Sequence, residues 1–233
     1  MNEISKREPT GVAAYGERDP FEVYADSIRP GYIVGKLLKF SKGDYLLGES
    51  AGPVDLGTVV TAAIDQLLTG WTRWEHAKPA EHRMVLVASG EVPPLRGVLG
   101  HLDRADWEVD KDGKPRDPWQ YSAYLPLLST AGELWTFSTS SRGGHGAIGR
   151  LSRAYAHHRR QKPKELPLIG LKCDSYPHSD RQIGRIKVPL FELAGWEAAD
   201  RVAAALAEIG LTPDVEPPIA KDRSGDMDDD IPF

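Results

Sequence analysis

The sequence predicts a mainly β protein of the α+β class, with a small, mostly antiparallel barrel or sheet decorated by about three helices. Glycine and proline are frequent, with 23 and 18 copies in 233 residues, and both favour turns and strands over a helical bundle. Short apolar runs of strand-like composition recur between clusters of turn-forming residues. Strand-like and helix-like segments do not alternate regularly, which argues against a doubly wound parallel sheet.

The first half of the chain predicts an arm followed by strands and one helix. Residues 1–28 are polar and punctuated by proline and glycine, so we expect a flexible N-terminal arm. Residues 31–49 predict two strands joined by a Ser-Lys-Gly-Asp turn. Residues 56–70 predict a helix, because apolar side chains recur at helical spacing and Gly70 suits a helix end. A short strand is expected at residues 84–88.

The second half predicts further strands and two helices. Residues 97–128 contain strand-like runs, and residues 133–141 alternate cleanly between two faces. A helix is expected over residues 147–160, between a glycine-rich stretch and Pro163. The remaining predicted elements are strands at 166–177 and 184–193, a helix at about 195–209 and a disordered linker at 212–227. The expected organisation is therefore an arm (1–28), one folded domain (29–211), a linker (212–227) and a terminal peptide (228–233).

Charge is segregated along the chain, although the formal net charge is only −5. Residues 142–187 hold eleven lysines and arginines against three acids, whereas residues 226–233 hold four aspartates and no base. A basic middle favours contact with a polyanion such as nucleic acid. A basic surface that is merely solvated is the plain alternative.

Cysteine, targeting and membrane signals indicate the compartment. Cys173 is the only cysteine, which excludes an internal disulfide and any metal site with several cysteine ligands. The first twenty residues have no apolar signal-peptide core, and no apolar run approaches the roughly 18 residues of a membrane span. We therefore expect a cytoplasmic protein that does not bind membranes.

The sequence ends in Met-Asp-Asp-Asp-Ile-Pro-Phe, residues 227–233. A basic rim attracts the carboxylates, Pro232 restricts the backbone and Phe233 offers an aromatic anchor, so this peptide suits binding by another protein. The ending resembles the C-terminal tip of bacterial and phage single-stranded DNA-binding proteins. The resemblance implies an OB-like body that binds single-stranded DNA and a tip that recruits replication, recombination and repair proteins. By that resemblance the partner-binding residues are Asp228, Asp229, Asp230, Ile231, Pro232 and Phe233.

The body independently carries the two features of a single-strand binder, which are a cationic surface and aromatic faces on which bases stack. Most aromatic residues on strands belong to a core. We expect two of these rings to be exposed stacking platforms, with Trp119 and Trp135 as the preferred pair. The predicted DNA-binding residues are Trp107, Trp119, Tyr121, Trp135, Phe137, Arg142, Arg150, Arg153, Lys162, Lys164, Arg181, Arg185 and Lys187.

A glycine-rich stretch at residues 140–150 reads Ser-Ser-Arg-Gly-Gly-His-Gly-Ala-Ile-Gly-Arg. Its N–H groups could contact a DNA phosphate, or the glycines could form a tight turn that needs positive φ. The stretch lacks the Gly-Lys-Ser/Thr of a P-loop, so no nucleotide pocket is expected. Two sets of histidines and aspartates complete no recognised catalytic or metal motif: His101, Asp103 and Asp106, and His157, His158, Asp174 and His178. We expect no catalytic residue, no metal and no cofactor.

The sequence therefore predicts a non-catalytic protein that binds single-stranded DNA without sequence preference and recruits partners through its tip. A single-strand annealing protein of phage-type recombination is one open alternative. A metal-dependent nuclease or an accessory protein with a borrowed recruitment tip is another. A homo-oligomer is compatible with the sequence, because the apolar stripe of the helix at 195–209 would serve a core or a dimer face.

Overall fold

The structure is a computed structural model that describes residues 32–109, 113–177 and 184–210. It is mainly β with two α-helices, which confirms the predicted class. The expected arm (1–28), linker (212–227) and terminal peptide (228–233) lie outside the described residues. The strands are β1 Lys36–Ser41, β2 Asp44–Leu47, β3 Gly52–Val54, β4 Val59–Ala62, β5 Leu68–Glu75, β6 Lys78–Leu86, β7 Trp119–Ser129, β8 Leu134–Thr139, β9 Glu165–Pro177 and β10 Arg185–Ala198. The helices are α1 Arg142–His158 and α2 Asp200–Glu208.

All these strands belong to one strongly curled sheet that forms a half-barrel. Its main path is β10-β9-β4-β7-β8-β1-β2-β3, and β5 and β6 branch from β7. The neighbours β1 and β8 run parallel, with Leu38 opposite Phe137. The other pairs of described strands are antiparallel, so the sheet is mixed.

The strands β4 and β5 are two halves of one path along β7, separated by a bend. Thr61 of β4 lies opposite Leu128, and Trp71 of β5 lies opposite Tyr121. A single 3-10 turn, Ile64–Gln66, separates the two halves. The helix predicted at residues 56–70 is therefore wrong.

Strand pairing overrides the helix-like spacing in this segment. Val59, Val60 and Thr61 are β-branched, which favours a strand, and short apolar runs fit either period.

Gly70 is not a helix end. Its φ is +154°, and a Cβ there would lie 2.1 Å from the carbonyl oxygen of Arg83 on β6. The close approach of β6 is what requires glycine at this position.

Pro126 lies in the middle of β7, where proline is unusual because it lacks an N–H donor for the ladder. Its carbonyl oxygen accepts from the N–H of Ala63 at 2.9 Å, so this edge of Pro126 faces the bend. The bend carries the neighbouring segment away from β7 at residues 64–66, so no N–H donor is needed from Pro126 on this side. Ile64 and Leu67 are buried in the core, so side-chain packing fixes the bend as well.

The β1–β2 hairpin spans the open side of the half-barrel. The Tyr45 hydroxyl on β2 donates to the carbonyl oxygen of Lys172 on β9 at 2.9 Å and lies 3.5 Å from that of Leu190 on β10. Phe137 of β8 and Phe191 of β10 pack edge to face, with ring centres 5.1 Å apart. The curled sheet therefore encloses one continuous apolar core.

The two helices begin at residues other than those predicted. α1 begins earlier because Ser141 caps it, with the Ser141 hydroxyl accepting from the N–H of Gly144 at 3.0 Å. α2 begins later because Trp196 belongs to β10, where its ring stacks on His158 of α1 with 3.6 Å between ring centres. The apolar side of α2 packs against the same core.

Residues 87–118 connect β6 to β7. From here on we name this connection the arm, and it is distinct from the N-terminal arm predicted at residues 1–28. The strands predicted within 97–118 are wrong, because the described part of the arm contains only 3-10 turns and an isolated bridge. Prolines and glycines recur through it, and such residues favour turns over a continuous ladder. The strand predicted at 84–88 is in fact the end of β6.

We predict that Gly144→Ala destabilises the protein, whereas Gly149→Ala in the same helix leaves stability unchanged or raises it. A Cβ at Gly144 would lie 2.0 Å from Thr139 Oγ1, whereas a Cβ at Gly149 meets nothing within 4 Å. Overpacking costs about 1–3 kcal/mol, and alanine gains about 0.5–1 kcal/mol over glycine in an open helix position. Chemical denaturation followed by circular dichroism measures both free energies of unfolding. Equal effects of the two substitutions would contradict the packing of α1 on β8.

Candidate nucleic-acid interface

Helix α1 has one buried side and one cationic side. The exposed side carries Arg142, Arg150 and Arg153, which we name the arginine row. None of the three makes an ion pair with any residue that the structure describes. Neighbouring guanidinium groups without a carboxylate repel one another, and a polyanion relieves that repulsion. The buried side comprises Gly144, Ala147, Ile148, Leu151 and Tyr155.

The glycines of α1 serve two different purposes. Gly143 and Gly144 face the sheet, and a Cβ on Gly143 would lie 2.5 Å from Val188 Cγ1 on β10. Gly146 and Gly149 lie on the side of the arginine row, where a Cβ on Gly149 would meet open space. None of these four has positive φ, so the tight-turn interpretation of the stretch is wrong. The open glycines leave the helix backbone accessible between the arginines, at a cost to helix stability.

Three rings form a continuous row at the N-terminal end of α1, and we name Trp71, Tyr121 and His145 the aromatic row. The ring centre of Tyr121 lies 5.2 Å from that of Trp71 and 5.3 Å from that of His145. Nε2 of His145 donates to the carbonyl oxygen of Tyr121 at 3.1 Å, and the Trp71 indole donates to that of Pro94 at 2.8 Å. Tyr121 is 38 % exposed, so its ring is available for stacking with a base.

The two rows form one surface. His145 lies in the first turn of α1, three residues after Arg142. Because an α-helix rises 1.5 Å per residue, the arginine row extends about 16 Å along α1, from Arg142 to Arg153. The surface therefore offers an aromatic face at one end and a line of cations beyond it.

The face of β7 and β8 that points away from α1 is covered by the chain itself. The Val34 N–H donates to Thr136 Oγ1, which in turn donates to the Val34 carbonyl oxygen, both at 2.7 Å. The Tyr32 ring centre lies 4.6 Å from that of His82 and 6.3 Å from that of Tyr124. These contacts leave little of that face open to a ligand, whereas Tyr121 at the end of β7 is exposed on the α1 side.

The structure buries three of the aromatic residues predicted to bind DNA. Trp119 and Trp135 are 3 % and 7 % exposed, and Phe137 is fully buried. The prediction that Trp119 and Trp135 are exposed stacking platforms is therefore wrong. Trp135 packs in the core, and the Arg73 guanidinium lies 6.0 Å from the Trp119 ring centre. Tyr121 is the predicted strand aromatic that remains accessible.

Three further predicted residues lie away from the two rows. Trp107 is half-buried in the arm, where the Arg104 guanidinium lies 5.6 Å from its ring centre. Lys162 and Lys164 follow the C-terminal end of α1, opposite the aromatic row. Lys162 pairs with Glu165 at 2.9 Å, so its charge is partly neutralised.

Two further predicted cations lie at the start of β10, on the face that points away from α1. Arg185 and Lys187 are exposed at the start of β10. The adjacent Val188 faces Gly143 of α1, and neighbouring residues of a strand point to opposite faces. The Lys187 side chain therefore lies on the other face of β10, beside Gly43 in the turn between β1 and β2. Arg181 lies outside the described residues.

Sequence reasoning missed Trp71 and His145 as interface residues. Trp71 lies next to the segment predicted to be a helix end, and its position opposite Tyr121 depends on the bend. The signal that identifies it is the alternation of Thr69, Trp71 and Arg73 along β5. His145 has no local signal beyond its place in the glycine-rich stretch.

The described parts of the chain show no metal cluster. Across residues 32–109, 113–177 and 184–210, no group of three or more histidine, cysteine, aspartate or glutamate side chains could hold a metal ion. Within the same ranges, no helix combines the length and the apolar character that crossing a bilayer requires.

The chain matches no family model, no curated protein and no solved structure. Its function has to be inferred from the residues of this surface and from the chemistry of the terminal peptide.

We predict that His82 makes the protein less stable as the pH falls below its ordinary pKa of 6.5. Burial lowers the pKa of His82 in the folded chain, where Nδ1 lies 3.2 Å from Thr72 Oγ1. As the pH falls, the unfolded chain takes up a proton before the folded chain does, so the unfolded state is favoured. Thermal unfolding from about pH 7.5 to pH 5 measures this loss, which His82→Gln should reduce. The exposed His76→Gln is the control, and an unchanged pH dependence in His82→Gln would contradict the assignment.

Proposed function

We propose that this protein binds single-stranded DNA, without sequence preference and without catalysis, across the aromatic row and the arginine row. The observation that carries the proposal is the exposed Tyr121 ring beside arginines that no described carboxylate neutralises. Aromatic faces that stack bases, combined with a cationic track for the phosphates, are the usual means of holding single strands. Paired and stacked bases of a duplex do not offer their faces to such a ring, so single strands are preferred.

The strand connectivity supports an OB-type barrel as the body. With β4 and β5 counted as one bent strand, the order is β8-β7-β4/β5-β9-β10, and α1 is inserted between β8 and β9. This order is typical of the five-stranded Greek-key barrel whose second and third strands bind oligonucleotides. Here β7 is the second strand, and it carries Tyr121. The strands β1, β2, β3 and β6 and the arm are additions to that plan.

The proposed mechanism combines stacking with the release of counterions. One base stacks on Tyr121, with Trp71 and His145 holding that ring in place. Phosphates that follow along α1 lie near the arginine row and displace bound counterions, so affinity falls as the salt concentration rises. Gly146 and Gly149 allow the sugar–phosphate backbone to lie close to the helix.

The terminal peptide supplies the second part of the proposed function. Residues 228–233 combine three aspartates with Ile231, Pro232 and Phe233, which suits a basic pocket with an apolar floor on another protein. We assign it the recruitment of replication, recombination or repair proteins in the cytoplasm, following the resemblance of these residues. DNA binding and recruitment then use separate parts of the chain.

The first test is the fluorescence anisotropy of labelled oligo-dT titrated with the full-length protein, with duplex DNA of the same length as competitor. We predict binding that duplex DNA does not displace. Tyr121→Ala should weaken binding roughly 5- to 150-fold, because stacking of one base contributes about 1–3 kcal/mol. Tyr121→Phe retains the ring and should bind like the wild type. No binding of oligo-dT at low salt would refute the proposal.

We predict that Arg150→Ala reduces the salt dependence of oligo-dT binding. Loss of one phosphate contact should lower the slope of log K against log salt concentration by about 0.7 for a single strand. Arg201→Ala is the matched control, because Arg201 is an exposed arginine on α2 that lies 3.7 Å from Glu197. An unchanged slope in Arg150→Ala, or an equal loss in Arg201→Ala, would place the DNA elsewhere.

A further inference from the structure

Four aliphatic side chains of the arm lie in water, close together in the sequence. Their exposed fractions are 83 % for Val92, 79 % for Leu95, 73 % for Val98 and 57 % for Leu102. We name these four residues the ridge. Single exposed aliphatic residues are normal, but several in one short segment are typical of a contact surface.

Arg96 holds the ridge in a fixed position. Its Nε and Nη2 donate to the two carboxylate oxygens of Asp117, each at 2.8 Å. Its Nη1 and Nη2 also donate to the carbonyl oxygens of Gly100 at 2.8 Å and His101 at 2.9 Å. Asp117 accepts in turn from the N–H of Trp119 at 2.9 Å, which ties the arm to β7. A ridge held in this way loses little conformational entropy when it docks.

A groove of about 570 Å³ lies on the β1–β2 hairpin. Its lining combines the apolar residues Ile33, Leu37 and Leu46 with the charged residues Lys36, Lys39 and Glu49. Lys36 pairs with Glu133 at 2.8 Å, whereas Lys39 makes no ion pair with any described residue. The groove thus combines apolar lining residues with one cation that is available to a partner.

The ridge and the groove are complementary in polarity and charge. Glu91 directly precedes the ridge, and its carboxylate has no ion-pair partner among the described residues. Asp103 directly follows it, and Asp106 lies three residues further on. An aliphatic ridge with Glu91 and Asp103 at its ends fits an apolar groove in which the Lys39 ammonium is unpaired, although Glu49 adds one negative charge to the same groove.

We propose that the ridge of one copy docks into the groove of a second copy, so that the protein self-associates head to tail. The ridge is tied to the start of β7, and the groove lies on β1 and β2 beyond β8. Because the two surfaces differ and lie on different parts of one sheet, each docking event leaves a free ridge and a free groove. Such a head-to-tail interface builds an open chain or a ring of copies. The proposal does not depend on DNA binding.

Sedimentation velocity of the full-length protein without DNA, over about 1–100 μM, tests the proposal. The weight-average sedimentation coefficient should rise with concentration and pass the value for a dimer. Leu95→Asp should weaken this association at least tenfold, because it places a charge in the apolar contact. Leu56→Asp is the control, since Leu56 is 53 % exposed but belongs to neither surface.

A charge exchange separates this contact from a general effect on solubility. Glu91→Lys and Lys39→Glu should each weaken self-association, and the double variant should restore it, because the pair is then reversed. A wild-type protein that stays monomeric at the highest concentration would overturn the proposal. A closed dimer, or a double variant no better than the single ones, would overturn it too.

Discussion

The bend at residues 63–67 is the constraint on which the rest of the fold depends. It lets one segment of chain pair with both halves of β7, first through β4 and then through β5. β7 in turn carries β8 on its other edge, and the sheet curls around the core that these strands share. Pro126 is tolerated in the centre of the sheet only because the bend faces it. A straight strand in place of the bend would require a donor that Pro126 lacks.

The curl also decides which surface is free for a ligand. α1 closes one side of the core and turns its arginine row outwards, while residues 32–35 cover the opposite face of β7 and β8. Because β5 continues past the bend, Trp71 comes to lie beside Tyr121 at the start of α1. The proposed interface is therefore a consequence of the bend and of the close packing of Gly143 and Gly144. The cationic surface and the acidic terminal peptide also explain why a net charge of −5 says little about what the body binds.

Much of the fold could be predicted from long, consistent patterns. The alternation at residues 133–141 predicts β8, and the long apolar runs after Pro163 predict β9 and β10. The helix predicted at residues 147–160 already places Arg150 and Arg153 on α1. The prediction of a helix at residues 56–70 was wrong, because short apolar runs fit both the helical and the strand period and strand pairing decided between them. The prediction of which rings are exposed for stacking was wrong for another reason. Trp119 and Tyr121 lie on the same side of β7, and tertiary packing alone buries one and exposes the other.

The most direct test of the central claim is to map where a single strand touches the protein. Full-length protein bound to oligo-dT that contains 5-iodo-deoxyuridine can be cross-linked with light and analysed by mass spectrometry. We expect cross-links on the aromatic row, with Tyr121 as the main product. Cross-links confined to Trp107 in the arm, or to Tyr32 on the opposite face, would contradict it.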